Sequence, residues 1–165
     1  MKTTNFHPLA KSIKWVTILA SIIILGGMGM MVYEWLELQQ TQILVAFVLL
    51  AVILAVTVAI IPRRVTVSER EIHIHLLAWK INIPADEIEK IEHYPHGIDA
   101  HRIIGAGGYF GNLGLFTCSK CGRHLSLVTD PMDVCIITRK TKMPIVVSVA
   151  DYSVFNAIVE VQEKN

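Results

Sequence analysis

Two histidines and two cysteines stand at spacings that metal chemistry uses. His73 and His75 occupy alternate positions of one predicted strand, so their side chains point the same way, and Cys118-Ser119-Lys120-Cys121 falls in a predicted hairpin turn. Imidazole nitrogen and thiolate sulfur are the ligands zinc prefers, but a structural zinc site needs four of them, commonly as two recognisable pairs. The third cysteine, Cys135, lies in an apolar run, where a thiol behaves as a small hydrophobe. The reading is therefore no metal and no cofactor, with His73, His75, Cys118 and Cys121 as the candidates that would overturn it. A thiol–disulfide role for the Cys-x-x-Cys pair lacks the helix N-terminus that lowers a redox thiol's pKa. Three cysteines also leave one over from any disulfide pairing, which suits a reducing compartment.

Gly105, Gly107, Gly108, Gly111 and Gly114 form the second candidate. A phosphate-binding loop needs Gly-Lys-Ser/Thr at its end, and here Asn112 follows Gly111; a dinucleotide fingerprint needs glycine where Phe110 stands. The glycines are expected to permit positive φ, a bulge or close packing. The alternative is a binding surface made of Arg102, Gly105, Gly107, Gly108, Tyr109, Phe110 and Gly111, taking a peptide, a lipid headgroup or a second protomer. Ser126, His124 and Asp130 assemble a nucleophile, base and acid only on paper, with no nucleophile elbow, paired carboxylates or zincin helix beside them. No catalytic residue is assigned, and the chain is expected not to be an enzyme.

What must position these residues begins with two charge-free apolar runs, 15–33 and 43–61. Each is about 19 residues, close to the ~30 Å hydrocarbon thickness that a spanning helix covers. A signal peptide is a poorer reading of the first, because its apolar core would be shorter, would end in a small-x-small site and would not be followed by a second span. Lys2, Lys11 and Lys14 precede the first run and Arg63 and Arg64 follow the second, whereas the connection 34–42 has neither Lys nor Arg. Positive charge stays on the cytoplasmic side. The expected layout is a cytoplasmic N-terminus over 1–14, spans over 15–33 and 43–61 joined by an extracytoplasmic turn over 34–42, and a cytoplasmic domain over 62–165. Neither run contains Asp, Glu, Lys, Arg or His, which proton relays and ion pathways require, so transport is excluded. Ala51, Ala55 and Ala59 mark a face of small residues suited to close helix packing, within the hairpin or between two copies.

Beyond Pro62 the pattern becomes alternating. Residues 71–76, 79–83, 88–94, 113–118, 124–128, 134–138 and 145–149 predict about seven short strands. Asp151 then serves as N-cap to an amphipathic helix carrying Val154, Phe155, Ile158 and Val159. The fold class is an α-helical transmembrane hairpin plus an all-β barrel or sandwich whose open end a C-terminal helix plugs. Of the 15 Lys/Arg and 14 Asp/Glu residues, twelve of each lie beyond Pro62, so no basic surplus exists to displace counterions and nucleic acid is not a partner.

Three segments give this chain a family resemblance. Residues 81–91, with the turn Ile83-Pro84-Ala85-Asp86-Glu87-Ile88, resemble the second strand and following turn of the bacterial pleckstrin-homology (PH) family. Residues 102–111 are similar to its glycine-rich segment, and 113–117 to the strand after it. The resemblance spans about 65–163 and is closest to the membrane-anchored form, in which a transmembrane pair precedes the domain. It implies a seven-stranded PH-like barrel capped by the C-terminal helix, and it implies no chemistry. Phosphoinositide-type recognition would call for several basic residues on the first hairpin, and that turn has only Lys80. The basic residues that could face anionic lipid are instead Arg63, Arg64, Lys120, Arg123, Arg139, Lys140 and Lys142. The expected function is a non-catalytic module for protein interaction, scaffolding or self-assembly at the cytoplasmic membrane face, its partners being the bilayer and either a protein or its own copy. The alternative is a sensor of a small ligand, lipid headgroup or metal.

Overall fold

The computed structural model describes residues 2–156 and 158. Strand β1 (Lys2–Asn5) leads into helices α1 (Lys11–Leu38) and α2 (Thr41–Ala59). Nine further strands follow: β2 (Pro62–Val67), β3 (Glu71–Leu76), β4 (Lys80–Pro84), β5 (Ile88–Tyr94), β6 (His101–Gly107), β7 (Asn112–Cys118), β8 (Gly122–Val128), β9 (Val134–Arg139) and β10 (Ile145–Val147). They form two sheets, one of four strands in the order β1-β2-β3-β4 and one of six in the order β5-β9-β10-β8-β7-β6.

Helix α1 has 28 residues, about 42 Å at 1.5 Å per residue. It therefore extends past both ends of the apolar run, carrying Lys11 and Lys14 at one end and Glu34 and Glu37 at the other. Only Gln39 and Gln40 separate it from α2, and Gln39 adopts the left-handed conformation at φ 52°, its N–H bonding Trp35 O at 2.9 Å. That cap turns the chain sharply, so α1 and α2 lie antiparallel against each other. Only Ile13 and Thr17 of α1 are buried, and no residue of α2 is. A core helix of a soluble protein would be enclosed; these two are apolar on all sides and open, as spanning helices are.

The sandwich closes on one main core. Val65, Ile72, Ile74 and Ile83 of the first sheet meet Leu127, Ile137, Ile145 and Val147 of the second. The alternation expected for β3 holds: Ile72, Ile74 and Leu76 are buried, and His73 and His75 take the opposite face. At the end of the chain the Asp151 carboxylate accepts the Ser153 N–H at 3.0 Å, and a 3-10 turn (Tyr152–Phe155) begins the helical segment. Phe155 and Ile158 are fully buried in the core, the plug the pattern predicts; Val159 lies outside the described residues.

Among the described residues ten strands form rather than about seven, and β1, β2 and β6 are the additions. β1 is the most consequential. It pairs antiparallel with β2, from Lys2 opposite Val67 to Asn5 opposite Arg64, so the chain before α1 and the chain after α2 are joined at the same end of the helix pair. Phe6 follows into the core, its N–H on Arg63 O at 3.3 Å. The domain holds the β1–α1 linker through further bonds: Thr129 Oγ1 donates to His7 O at 2.7 Å, Ala10 N–H to Thr129 O at 3.4 Å, and His7 Nε2 lies 3.2 Å from Asp133. At the other junction Leu77 and Ala78 donate N–H groups to Ile61 O and Ala59 O at 3.0 and 3.2 Å. The helix pair and the β domain are thus connected by hydrogen bonds at both crossings.

Candidate functional site

The glycine-rich segment is a β-hairpin, β6 and β7, at one edge of the six-stranded sheet. Gly105 faces Gly114 across the pair, and an extra residue bulges between Arg102 and Ile104. At Gly105, φ is +131°, and a Cβ there would lie 2.2 Å from Leu113 O. The two backbones approach more closely than side chains would allow, so glycine is required by the packing. At the tip, Gly108 N–H bonds Gly111 O at 2.9 Å and Phe110 takes φ 58°.

That tip is docked on α1. Phe110 N–H donates to Thr17 Oγ1 at 3.0 Å, the Tyr109 and Ser21 hydroxyls are 3.2 Å apart, and the Tyr109 and Phe110 rings stack at a tilt with centroids 4.6 Å apart. Two members of the expected binding set therefore grip the protein's own first helix. The other side of the hairpin is open: Arg102, Gly105 and Gly107 are exposed, Ile103 is 43% exposed and Ile104 71%. β6 is the last strand of its sheet and has no partner on its outer edge among the described residues. Between this hairpin and α2 runs an apolar groove of about 640 Å³, lined by Val52, Val56 and Ile60 on one side and Ile104, Leu113 and Leu115 on the other.

Five of the basic residues share one end of the six-stranded sheet, where the register of Leu125 with Ile145 and of Ile145 with Ile137 brings the turns carrying Lys120 and Arg123 and Arg139, Lys140 and Lys142 side by side; Arg63 and Arg64 stand apart on the other sheet. Arg139 is tied into its own turn, donating to Met143 O from Nε at 2.8 Å and also from Nη2, and Lys142 pairs with Glu87 at 2.8 Å. Lys120 and Arg123 sit at the far end of β7 and β8, about 20 Å of strand from the tip that touches α1. Arg63 and Arg64, both exposed, directly follow α2 at the start of β2.

The four metal candidates separate into two places. His73 lies on the first sheet, its Nδ1 2.8 Å from Asn82 Oδ1 and its Nε2 2.9 Å from Glu71. His75 Nε2 is 3.3 Å from Thr66 Oγ1, and partial burial, then the charge of Arg64, lowers its pKa. Cys118 and Cys121 are at the β7–β8 turn of the second sheet, and the residue that joins them is His124, whose Nδ1 is 3.4 Å from Cys121 Sγ. Alternation places His124 on the same side of β8 as the cysteines; the spacing Cys-x-x-Cys-x-x-His was the available signal. Burial, then the hydrogen bond to Cys118, pushes the Cys121 thiol up to about 12. Burial also pushes Cys135 up.

Ser126, His124 and Asp130 do not form a hydrogen-bonded relay. Ser126 Oγ donates to Asn112 O at 2.8 Å, His124 Nδ1 is 3.0 Å from Gly122 O, and Asp130 Oδ1 accepts the Met132 N–H at 3.0 Å. Among known proteins, a family model described as Bacterial PH domain matches residues 63–162. No curated protein and no solved structure matches the chain.

Proposed function

The chain belongs to the bacterial PH domain family, and from that premise we propose that it is a membrane-anchored, non-catalytic module that docks a protein partner or its own copy at the cytoplasmic face of the bacterial inner membrane. The observation that carries this reading is the β6 edge. The seven-residue strand β6, paired with β7 on one side, leaves its alternate, outward-facing backbone groups without a partner strand among the described residues and lies beside an apolar groove, a combination that accepts an added strand, with main-chain bonds for affinity and the groove for side chains.

The anchor gives that edge its setting. The β1–β2 pairing and the grip of Tyr109 and Phe110 on α1 hold the domain against the helix pair, restricting its orientation. Confinement to a membrane surface raises the effective concentration of other membrane components, so a modest edge contact suffices. The cytoplasmic side is supported by Lys2, Lys11, Lys14, Arg63 and Arg64, which share the domain's end of the helix pair, while the opposite turn has no Lys or Arg. A headgroup-binding role has less support, because Arg139 and Lys142 already have partners.

The test is Ile104→Lys in the full-length protein extracted from native membranes. An exposed lysine blunts a sheet edge without entering the core. Wild-type protein is expected to sediment as a complex and the variant as a monomer with an unchanged melting curve. Wild-type sedimentation as a monomer, or an assembled Ile104→Lys variant, contradicts the edge reading.

A further inference from the structure

The β7–β8 turn brings together three groups that no part of the proposed docking function uses. Cys118 closes β7 opposite Gly122, whose φ of +64° turns the chain so that Cys121 folds back over the strand end. Cys121 N–H points at Cys118 Sγ at 3.1 Å, the two sulfurs are 2.6 Å apart, and Cys121 Sγ lies 3.4 Å from His124 Nδ1. All three ligand atoms fall within 4.8 Å of one another. Cys118 and His124 are buried and Cys121 is half-buried, so the cluster sits in a partly dehydrated recess with one open side.

We propose that Cys118, Cys121 and His124 bind a zinc ion through three protein ligands, leaving the fourth position to solvent or a small ligand. Two sulfurs and an imidazole nitrogen are the donor set that zinc takes in preference to the hard cations. Tetrahedral zinc at ordinary bond lengths sets its sulfur and nitrogen ligands about 3.6 Å apart and its two sulfurs about 3.8 Å apart. The Cys121–His124 spacing of 3.4 Å is already close to the first of these, and Cys118 Sγ lies within 4.8 Å of the same imidazole. The sulfurs must part by about 1 Å, which a χ1 adjustment of Cys121 in an open turn supplies.

The far side of the imidazole carries the second observation. His124 is fully buried, and its Nε2 has no hydrogen-bond partner. A zinc-bound histidine donates its remaining N–H to an acceptor, which fixes the tautomer and ring orientation. His124 lines a cavity of about 160 Å³ shared with Asn112 and Ser126, large enough for a water to serve as that acceptor. In the structure Nδ1 lies 3.0 Å from Gly122 O, so metal on Nδ1 would replace that hydrogen bond and shift the ring proton to Nε2, where the acceptor would satisfy a nitrogen otherwise orphaned in the interior.

Full-length protein carrying a tag without histidine, kept reduced in detergent micelles, is the material for the test. Metal analysis after dialysis against limiting zinc is expected to give one zinc per chain, and cobalt substitution a thiolate-to-cobalt charge-transfer band. Cys121→Ser is expected to lose the band and weaken zinc at least about 100-fold, since even partners of the ligands are worth 10–100-fold. Wild-type protein with no retained zinc and no cobalt band overturns the proposal, as does a Cys121→Ser variant that holds zinc like the wild type. A Cys118–Cys121 disulfide in protein purified without reductant, with no metal affinity once reduced, would assign the pair to redox chemistry instead. None of these readouts depends on whether the β6 edge docks a partner.

Discussion

Gly111→Ala and Gly105→Ala are each expected to destabilise the β domain by about 2–6 kcal/mol, whereas Gly107→Ala leaves its stability unchanged. Gly111 has φ +123°, and a Cβ there would sit 2.2 Å from Val128 O, a backbone atom of the neighbouring strand that cannot swing aside. Gly105 meets Leu113 O at the same 2.2 Å. Each alanine combines a strained backbone conformation, about 1–3 kcal/mol, with overpacking of about 1–3 kcal/mol, a large part of the roughly 5–15 kcal/mol a domain has in total. Gly107 differs: its nearest neighbour is the Arg102 guanidinium at 3.5 Å, an ordinary contact, and its φ lies outside the left-handed range. Denaturant melts in micelles would measure the three variants side by side. If all three fold alike and lose only partner capture, the segment is a binding loop and not an architectural one.

Phe6→Ala is expected to destabilise the domain by about 3–5 kcal/mol, the usual cost of emptying an aromatic site in a packed core. Phe6 precedes both helices in sequence, yet it is buried in the main core, and it bridges to Val149 while Asn5 O accepts the Ala150 N–H at 3.0 Å. A fragment beginning at Pro62 loses this side chain together with all of β1, so it should melt below the full-length protein by at least as much. Leu19→Ala is the matched control, since Leu19 faces outward from α1 at 63% exposure and contributes nothing to the sandwich. Equal melts for Phe6→Ala and wild type would mean that the N-terminal strand is an appendage.

Alternation in the sequence is enough to find β3, whose bounds, Glu71–Leu76, coincide with the predicted ones; those of β5, Ile88–Tyr94, coincide too, although Ile88, Ile91 and Tyr94 recur every third residue, with a bulge between Ile88 and Lys90. It fails where the pairing itself makes the strand. Lys2-Thr3-Thr4-Asn5 has no apolar residue to alternate; it becomes a strand because β2 returns beside it after the whole helical hairpin. In β2, Pro62, Arg63 and Arg64 hide Val65 and Val67, and in β6 the glycines remove the side chains by which a strand is recognised. The candidate site was legible to the same degree. Arg102 and the glycines lie together, as their closeness in sequence implies. That Tyr109 and Phe110 turn inward onto Ser21 and Thr17 is a contact across 88 and 93 residues, which no local pattern encodes. The metal candidates separate in the same way: His73 and His75 belong to the other sheet, and the histidine that lies beside the cysteines is His124, three residues beyond Cys121.

The account rests most heavily on β6 as the docking edge of a membrane-held domain. A photo-crosslinking residue placed at Ile104 of the full-length protein in native membranes tests that directly, with Glu69, in the exposed turn between β2 and β3, as the comparison site. The account predicts a protein adduct of discrete mass at position 104, either with a second copy or with one partner, and none at 69. Adducts with lipid alone at 104, or the same protein captured equally from both positions, would contradict it.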